Sequence, residues 1–161
     1  MLGFGKKKKL KLDEKIYAPV QGNVIDITTV SDPVFAQKMM GDGFAVIPKS
    51  NEIVAPVSGK VTMSQGHALG IKRSDGLEFL IHIGIDTVVL KGTPFTQHLK
   101  VGDNVVGGEL LVTVDWQQIK DANLDPTVMV LITNSKSQLN QLTINCGDTQ
   151  AGAQIGLATA K

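Results

Sequence analysis

Cysteine is almost missing from this sequence: Cys146 stands alone in 161 residues, so no internal disulfide and no cysteine-based metal cage can form. A reducing compartment is the natural setting. Aromatic residues are nearly as scarce, at 4% of the chain, which removes the stacking platforms that base-reading and strand-binding proteins use. No nucleic-acid partner is expected. No apolar run nears the roughly 20 residues needed to span a bilayer. The first residues lack the apolar stretch and cleavage site of a secretion signal, so cytoplasmic placement is the expectation. Helical periodicity is also thin. The best candidates are a turn near Asp32–Met39, with Ser31 or Asp32 able to cap it, and another near Asp115–Asp121.

What remains is rich in small aliphatic residues. Hydrophobic residues make up 42% of the chain and charged residues 19%, enough for one soluble domain with a genuine core. The net charge of +1 is unevenly placed: residues 1–15 hold six lysines against Asp13 and Glu14, a local +4, which leaves −3 for the rest. Residues 1–15 therefore read as a basic flexible segment and residues 16–161 as a single domain. Lys6–Lys9 and Lys11, set among Leu2, Phe4, Leu10 and Leu12, suit a weak, reversible contact of residues 1–12 with an anionic membrane surface. A solvated basic leader is the plainer alternative.

From Ile16 onward, runs rich in Val, Ile and Thr alternate with Gly, Pro, Asp and Asn. Asn23–Thr29, Lys60–Met63, Phe79–Ile85 and Leu110–Val114 read as strands, and seventeen glycines supply the corners. The fold class is all-β, a sandwich or barrel. Two internal echoes support it. Ala18-Pro19-Val20-Gln21-Gly22-Asn23-Val24 is repeated as Ala55-Pro56-Val57-Ser58-Gly59-Lys60-Val61. Gly102-Asp103, Gly107 and Leu110 are matched by Gly147-Asp148, Gly152 and Ile155. Both are repeated turn geometry, since Gly tolerates positive φ and Asp bonds its own backbone.

The chemistry concentrates in Leu80-Ile81-His82-Ile83-Gly84-Ile85-Asp86-Thr87. Strand alternation puts Phe79, Ile81 and Ile83 on a core face and Leu80, His82 and Gly84 on the other. A lone histidine in an apolar strand is more often a hydrogen-bonded structural residue than a reactive one. The balance shifts because a second histidine lies in Gly66-His67-Ala68-Leu69-Gly70, because Asp86 is near, and because the chain has only three histidines. The residues alone define a paired-imidazole site and leave metal binding, proton transfer and phosphoryl transfer open.

The chain resembles the glucose-type IIA components of the bacterial phosphoenolpyruvate-dependent sugar phosphotransferase system. The resemblance rests on Lys38-Met39-Met40-Gly41-Asp42-Gly43-Phe44-Ala45, Ala55-Pro56-Val57-Ser58-Gly59-Lys60, His67-Ala68, the segment from Leu80 to Thr87, and Leu90-Lys91-Gly92. It continues through Gly102-Asp103 and Asp115 to Thr133-Asn134, covering residues 16–158. It implies an antiparallel β-sandwich of Greek-key or barrel-sandwich type with one or two short helical turns. It also implies a phosphocarrier: His82 would accept a phosphoryl group from the phospho-His of the carrier protein HPr and pass it to the IIB domain of a sugar permease. Neutral imidazole is nucleophilic near neutral pH, and a phosphoramidate keeps a high transfer potential. His67 would stabilise the phosphoryl group.

The resemblance further implies that Asp32 and Asp86 anchor basic groups of partners. Val34, Phe35, Met39, Met40, Met63, Leu69 and Leu80 would form an apolar docking rim, with Met adapting to more than one partner. Phosphorylation-dependent binding of permeases or metabolic enzymes is a further implication. One departure stands out: Gln65 occupies the position where the family usually has Thr, two residues before the first histidine; its amide can still donate and accept to orient His67, but with a different reach. His98 has no counterpart in the motif and reads as a surface histidine at the edge of a turn.

Two other function classes fit less well. A lipoyl- or biotinyl-type swinging-arm carrier would need its lysine in a strand-hairpin-strand, whereas Lys38 follows the Pro33–Gln37 turn and Met-Lys-Met is absent. A zinc hydrolase would need a His-x-His or His-Glu-x-x-His pair, which is also absent. No cofactor and no intrinsic metal are expected. A zinc ion shared by His67, His82 and a partner's carboxylate is the remaining metal reading.

Overall fold

The computed structural model describes residues 10–161, so most of the basic segment expected to meet a membrane lies outside the described residues. In chain order the strands are β1 (Lys15–Tyr17), β2 (Gly22–Asp26), β3 (Asp42–Pro48), β4 (Glu52–Val54), β5 (Gly59–Gln65), β6 (Ala68–Lys72) and β7 (Glu78–Ile83). They continue with β8 (Phe95–Gln97), β9 (Asn104–Val105), β10 (Leu110–Val114), β11 (Val128–Ile132), β12 (Leu139–Ile144), β13 (Gly147–Thr149) and β14 (Gln154–Ala160). The short helices are α1 (Pro33–Ala36), α2 (Trp116–Asp121) and α3 (Ser135–Gln138). The first two are the predicted ones, capped by the side chains of Asp32 and Asp115; α3 carries no capping side-chain bond and left no such signal.

An eight-stranded sheet of order β13-β2-β3-β11-β7-β6-β5-β9 packs on two three-stranded sheets, β4-β10-β8 and β1-β14-β12. Every pairing is antiparallel, giving the expected β-sandwich with no closed barrel. The main core lies between the sheets, where Ile16, Ile53, Val61, Leu69, Ile71, Phe79, Ile81 and Leu111 are sealed from water. A full burial of each such side chain contributes about 1.5–3 kcal/mol, and none of these elements is long enough to persist without it.

The first echo turns out to be an interlocked pair of corners. Tyr17 N donates to Pro56 O (2.8 Å) and Val54 N to Pro19 O (2.7 Å), so each copy of the corner bonds the other at corresponding positions. The second echo follows the same pattern with a one-residue shift from the sequence alignment. Ala18 exchanges bonds with Gly152 and Ala153, and Ala55 exchanges the same bonds with Gly108 and Glu109. Gly108, not Gly107, is thus the counterpart of Gly152, and both have positive φ (+89° and +78°).

Two strands end earlier than their composition suggests. β2 stops at Asp26 because the Asp26 carboxylate takes Thr28 N and Thr28 Oγ1 (2.9 and 2.7 Å), bending Ile27–Thr29 into a 3-10 turn. β7 stops at Ile83 because Gly84 and Asp86 both have positive φ (+80° and +62°). The bent segment then packs Ile27, Val30 and Phe35 on Ala45, Ile85, Met129 and Leu131. This small second core lies on the outer face of the large sheet, the face that carries His82.

Candidate functional site

His82 sits on β7 between Ala68 of β6 and Met129 of β11, its partners in register. The alternation is as expected from Phe79 to Ile83: the odd residues are buried, and Leu80 and His82 are half-buried on the outer face. Just past the strand, the positive φ of Gly84 turns its carbonyl back to the ring, and His82 Nδ1 lies 2.7 Å from Gly84 O. A carbonyl only accepts, so Nδ1 carries the proton and Nε2 keeps its lone pair.

The bend is itself held on all sides. Thr87 Oγ1 donates to Ile83 O (2.6 Å), Gly84 N to Thr127 O (3.0 Å) and Ile85 N to Asp125 O (2.9 Å). Asp125 in turn accepts from Thr127 N (2.9 Å), Thr127 Oγ1 (2.6 Å) and Ser31 Oγ (2.9 Å). Burial pushes its carboxyl up, but these bonds outweigh burial and hold its pKa below the usual range.

His67 occupies the second position of the Gly66–His67 turn that joins β5 to β6, and its carbonyl accepts from Ile83 N (2.7 Å). The rings of His67 and His82 stand edge-to-face with centroids 5.0 Å apart. Phe35 of α1 closes the other side of His82, with centroids 5.1 Å apart and planes tilted by 52°. Burial lowers the pKa of His82 most strongly. The bond to Gly84 O opposes it, His67 lowers it further, and the charges of Asp32 and Asp86 raise it; the net shift is downward. Burial also lowers His67, against hydrogen bonding to the Gln65 backbone. Both imidazoles are therefore kept neutral at neutral pH.

A surface depression of about 460 Å³ opens beside the pair, lined by Met40, Met63, His67, Leu80 and His82 together with Thr62 and Thr133. Val34 and Met39 are exposed nearby in sequence on and after α1, Met39 at 70%. Asp32 caps α1, its carboxylate accepting from Val34 N (2.9 Å), and its charge is felt at His82. Asp86 is exposed and makes no capping bond.

Two residues assigned to the docking rim belong elsewhere. Leu69 is fully buried because it pairs with Ile81, and one step from Ala68 along β6 turns it into the main core. Phe35 is also buried, and its ring packs on His82. Gln65 is exposed and meets His67 through its backbone and not through its amide.

Sequence reasoning passed over Val88 and Val89, exposed at 58% and 63% in the turn after Asp86. It also passed over Asp125 and Gln97. Two valines following Asp86-Thr87 in a segment already singled out were a usable signal for the first pair; no local pattern marks the others. His98 is exposed and its Nε2 lies 2.7 Å from Thr113 Oγ1. Among the described residues no three His, Cys, Asp or Glu groups gather as a metal cage. His67 and His82 supply at most two of the four ligands a zinc ion takes.

A neutral nucleophilic imidazole beside a second imidazole, in an apolar depression open to another protein, suits group transfer between proteins. Residues 14–138 match the family described as the phosphoenolpyruvate-dependent sugar phosphotransferase system, EIIA 1. The chain belongs to this family. The PTS system glucose-specific EIIA component of Halalkalibacterium halodurans is 42% identical over 98% of this chain and 95% of its own length. The PTS system glucose-specific EIICBA component of Streptococcus pneumoniae is 50% identical over 76% of this chain, which corresponds to 17% of that longer protein. The solved glucose permease IIA from Mycoplasma capricolum superposes with a TM-score of 0.79 at 36% identity, covering 88% of this chain and 93% of its own. This EIIA chain is thus a phosphoryl-transfer component of a sugar phosphotransferase system, and its sandwich is that of a glucose-type IIA component. Among its described residues no helix is long and apolar enough to cross a membrane.

Proposed function

We propose that this EIIA chain carries a phosphoryl group on His82 Nε2, taking it in the cytoplasm from phospho-HPr and passing it to the IIB domain of a sugar permease. The observation that carries the reading is the Nδ1 contact with Gly84 O at 2.7 Å, which leaves Nε2 unprotonated and directed away from the strand end. In the first step the Nε2 lone pair forms a bond to phosphorus as the donor's N–P bond breaks and its electron pair returns to the donor imidazole. His82 keeps its Nδ1 proton on Gly84 O throughout, so no proton has to leave the ring. In the second step the roles reverse and the acceptor nucleophile of IIB takes the group.

His67, with its ring centroid 5.0 Å from that of His82, stabilises the phosphoryl group as charge spreads over its oxygens in the transition state. Asp32 and Asp86 flank the site as anchors for basic groups on the partners, raising association rates and fixing register. Val34, Met39, Met40, Met63 and Leu80 provide the apolar contact, which the thioether side chains fit to two different partners.

The test is transfer itself. The chain is incubated with phosphoenolpyruvate, enzyme I and HPr and weighed intact before and after acid treatment, alongside His82→Ala and His67→Ala. One acid-labile phosphoryl group is expected on the wild type and none on His82→Ala. His67→Ala is expected to take the group and release it slowly to IIB. Absence of phosphate on the wild type, with HPr shown to be active, overturns the reading.

A further inference from the structure

We infer that Gln97 is a positioning residue for His67: from β8, in the opposite sheet, its carboxamide fixes the peptide unit that joins Gly66 to His67. This rests on the phosphocarrier reading above and extends it to a residue outside the histidine motifs.

The geometry is specific. Gln97 Nε2 donates to Gly66 O (2.9 Å) and Gln97 Oε1 accepts from Ser64 Oγ (3.1 Å). The orientation of the amide follows from its partners, because Gly66 O can only accept while the Ser64 hydroxyl can donate. Gly66 O belongs to the peptide plane that runs through His67 N to His67 Cα. With His67 O held by Ile83 N on the other side (2.7 Å), holding that oxygen fixes φ of His67 and with it the direction in which the Cβ and the ring leave the turn.

The turn has little else to hold it from this side. Gly66 has φ +54°, and a Cβ there would lie 3.0 Å from Gly92 Cα, so backbone rests on backbone. Gly66 itself has no side chain to wedge the turn in place. Gln97 is half-buried and paired with Val112 of β10, a fixed base from which a short amide reaches both the end of β5 and the turn after it. Gln65, the residue expected to orient His67, is exposed and contributes its backbone alone. The clamp thus comes from a residue 31 positions beyond Gly66.

In the carrier, the ring of His67 has to meet the phosphoryl group already aimed, since catalysis of this transfer is largely positioning. A loosened turn leaves the His82 nucleophile intact and blurs the partner imidazole. Uptake of the group and its release are then affected unequally.

Two variants separate clamping from packing. Gln97→Met keeps the volume and loses both hydrogen bonds; Gln97→Glu keeps an acceptor for Ser64 and sets an anion against Gly66 O. Their ring nitrogens are read by long-range proton–nitrogen NMR on the unphosphorylated full chain, and a thermal melt checks that each is folded. Both variants are expected to move the His67 nitrogen shifts toward the tautomeric average with those of His82 unchanged. Both are expected to take phosphate from HPr at the wild-type rate and release it to IIB roughly tenfold more slowly, the size of one neutral hydrogen bond.

Wild-type His67 shifts and wild-type release in folded Gln97→Met overturn the inference. The NMR result is independent of transfer, so failure of the wild type to accept phosphate sinks the carrier reading and leaves the positioning of His67 separately decided.

Discussion

The EIIA chain leaves no room for a side chain at Gly84, and Gly84→Ala measures that demand. The residue has φ +80°, a Cβ there would overlap the methyl of Thr87, and Asp125 O would lie 3.1 Å away. Thr87 is fully buried and cannot swing aside, because its hydroxyl is bonded to Ile83 O at 2.6 Å. An alanine at positive φ costs about 1–2 kcal/mol, and overpacking a closed site adds about 1–3 kcal/mol. Together they remove roughly 2–5 kcal/mol from a native state worth about 5–15 kcal/mol, so the variant folds but melts about 4–20 °C lower.

The displaced carbonyl also stops fixing the Nδ1 proton of His82, so NMR of the ring nitrogens shifts toward a tautomer mixture and phosphate uptake slows. Adding Thr87→Ser removes the offending methyl and keeps the hydroxyl. It is expected to restore the overpacking share of the loss and leave the backbone share, a coupling that the double-mutant cycle reads directly. Melting and uptake of Gly84→Ala equal to wild type, or a double variant no better than the single, would refute the reasoning.

Acid should act on the same site. Burial lowers His67 and His82 below the ordinary imidazole value, so phosphate uptake stays level from alkaline pH down through about 6.5 and falls only below it. The sign for stability follows, since the unfolded rings bind protons before the folded ones: the histidines' share of stability is complete above about pH 6.5 and is lost as pH falls further. Asp32→Asn and Asp86→Asn remove charges that raise His82, and each is expected to move the acid limb of the uptake profile lower still. Leu69 and Met39 should part company despite their shared assignment to the docking rim. Leu69→Ala opens the main core and is expected to cost about 2–5 kcal/mol in urea unfolding. Met39→Ala should stay within about 0.5 kcal/mol of wild type while slowing transfer with a partner.

The readable parts of this chain were those in which physics is local. Period-2 alternation identified β7 and the core face of Phe79, Ile81 and Ile83, and Asp32 and Asp115 stood where caps belong. Strand ends were harder, because what stops β2 is a single carboxylate folding onto Thr28, and what stops β7 is the handedness of Gly84 and Asp86. Leu69 was misplaced because its face is decided by register against Ile81, a partner twelve residues away, and a one-residue error reverses a strand. Asp125 and Gln97 were out of reach altogether. Each acts through hydrogen bonds to residues 94, 33 or 31 positions distant, joining segments that only the folded sandwich brings together.

The same division runs through the site. Whatever orients the two imidazoles is short, hydrogen-bonded and mostly backbone: Gly84 O for His82, the Gln65 backbone for His67, with Thr87 and Gln97 holding the turns behind them. The apolar side chains around them face outward, Met39, Val88 and Val89 above all. A protein that hands one group between two different surfaces needs this separation, because a ring that adapted to each partner would lose its aim and a rigid rim would fit only one of them. Substitutions behind the rings should therefore show in the ring-nitrogen shifts of the unphosphorylated chain before any partner is docked, whereas substitutions on the rim should leave those shifts unchanged and slow transfer only when a partner is present.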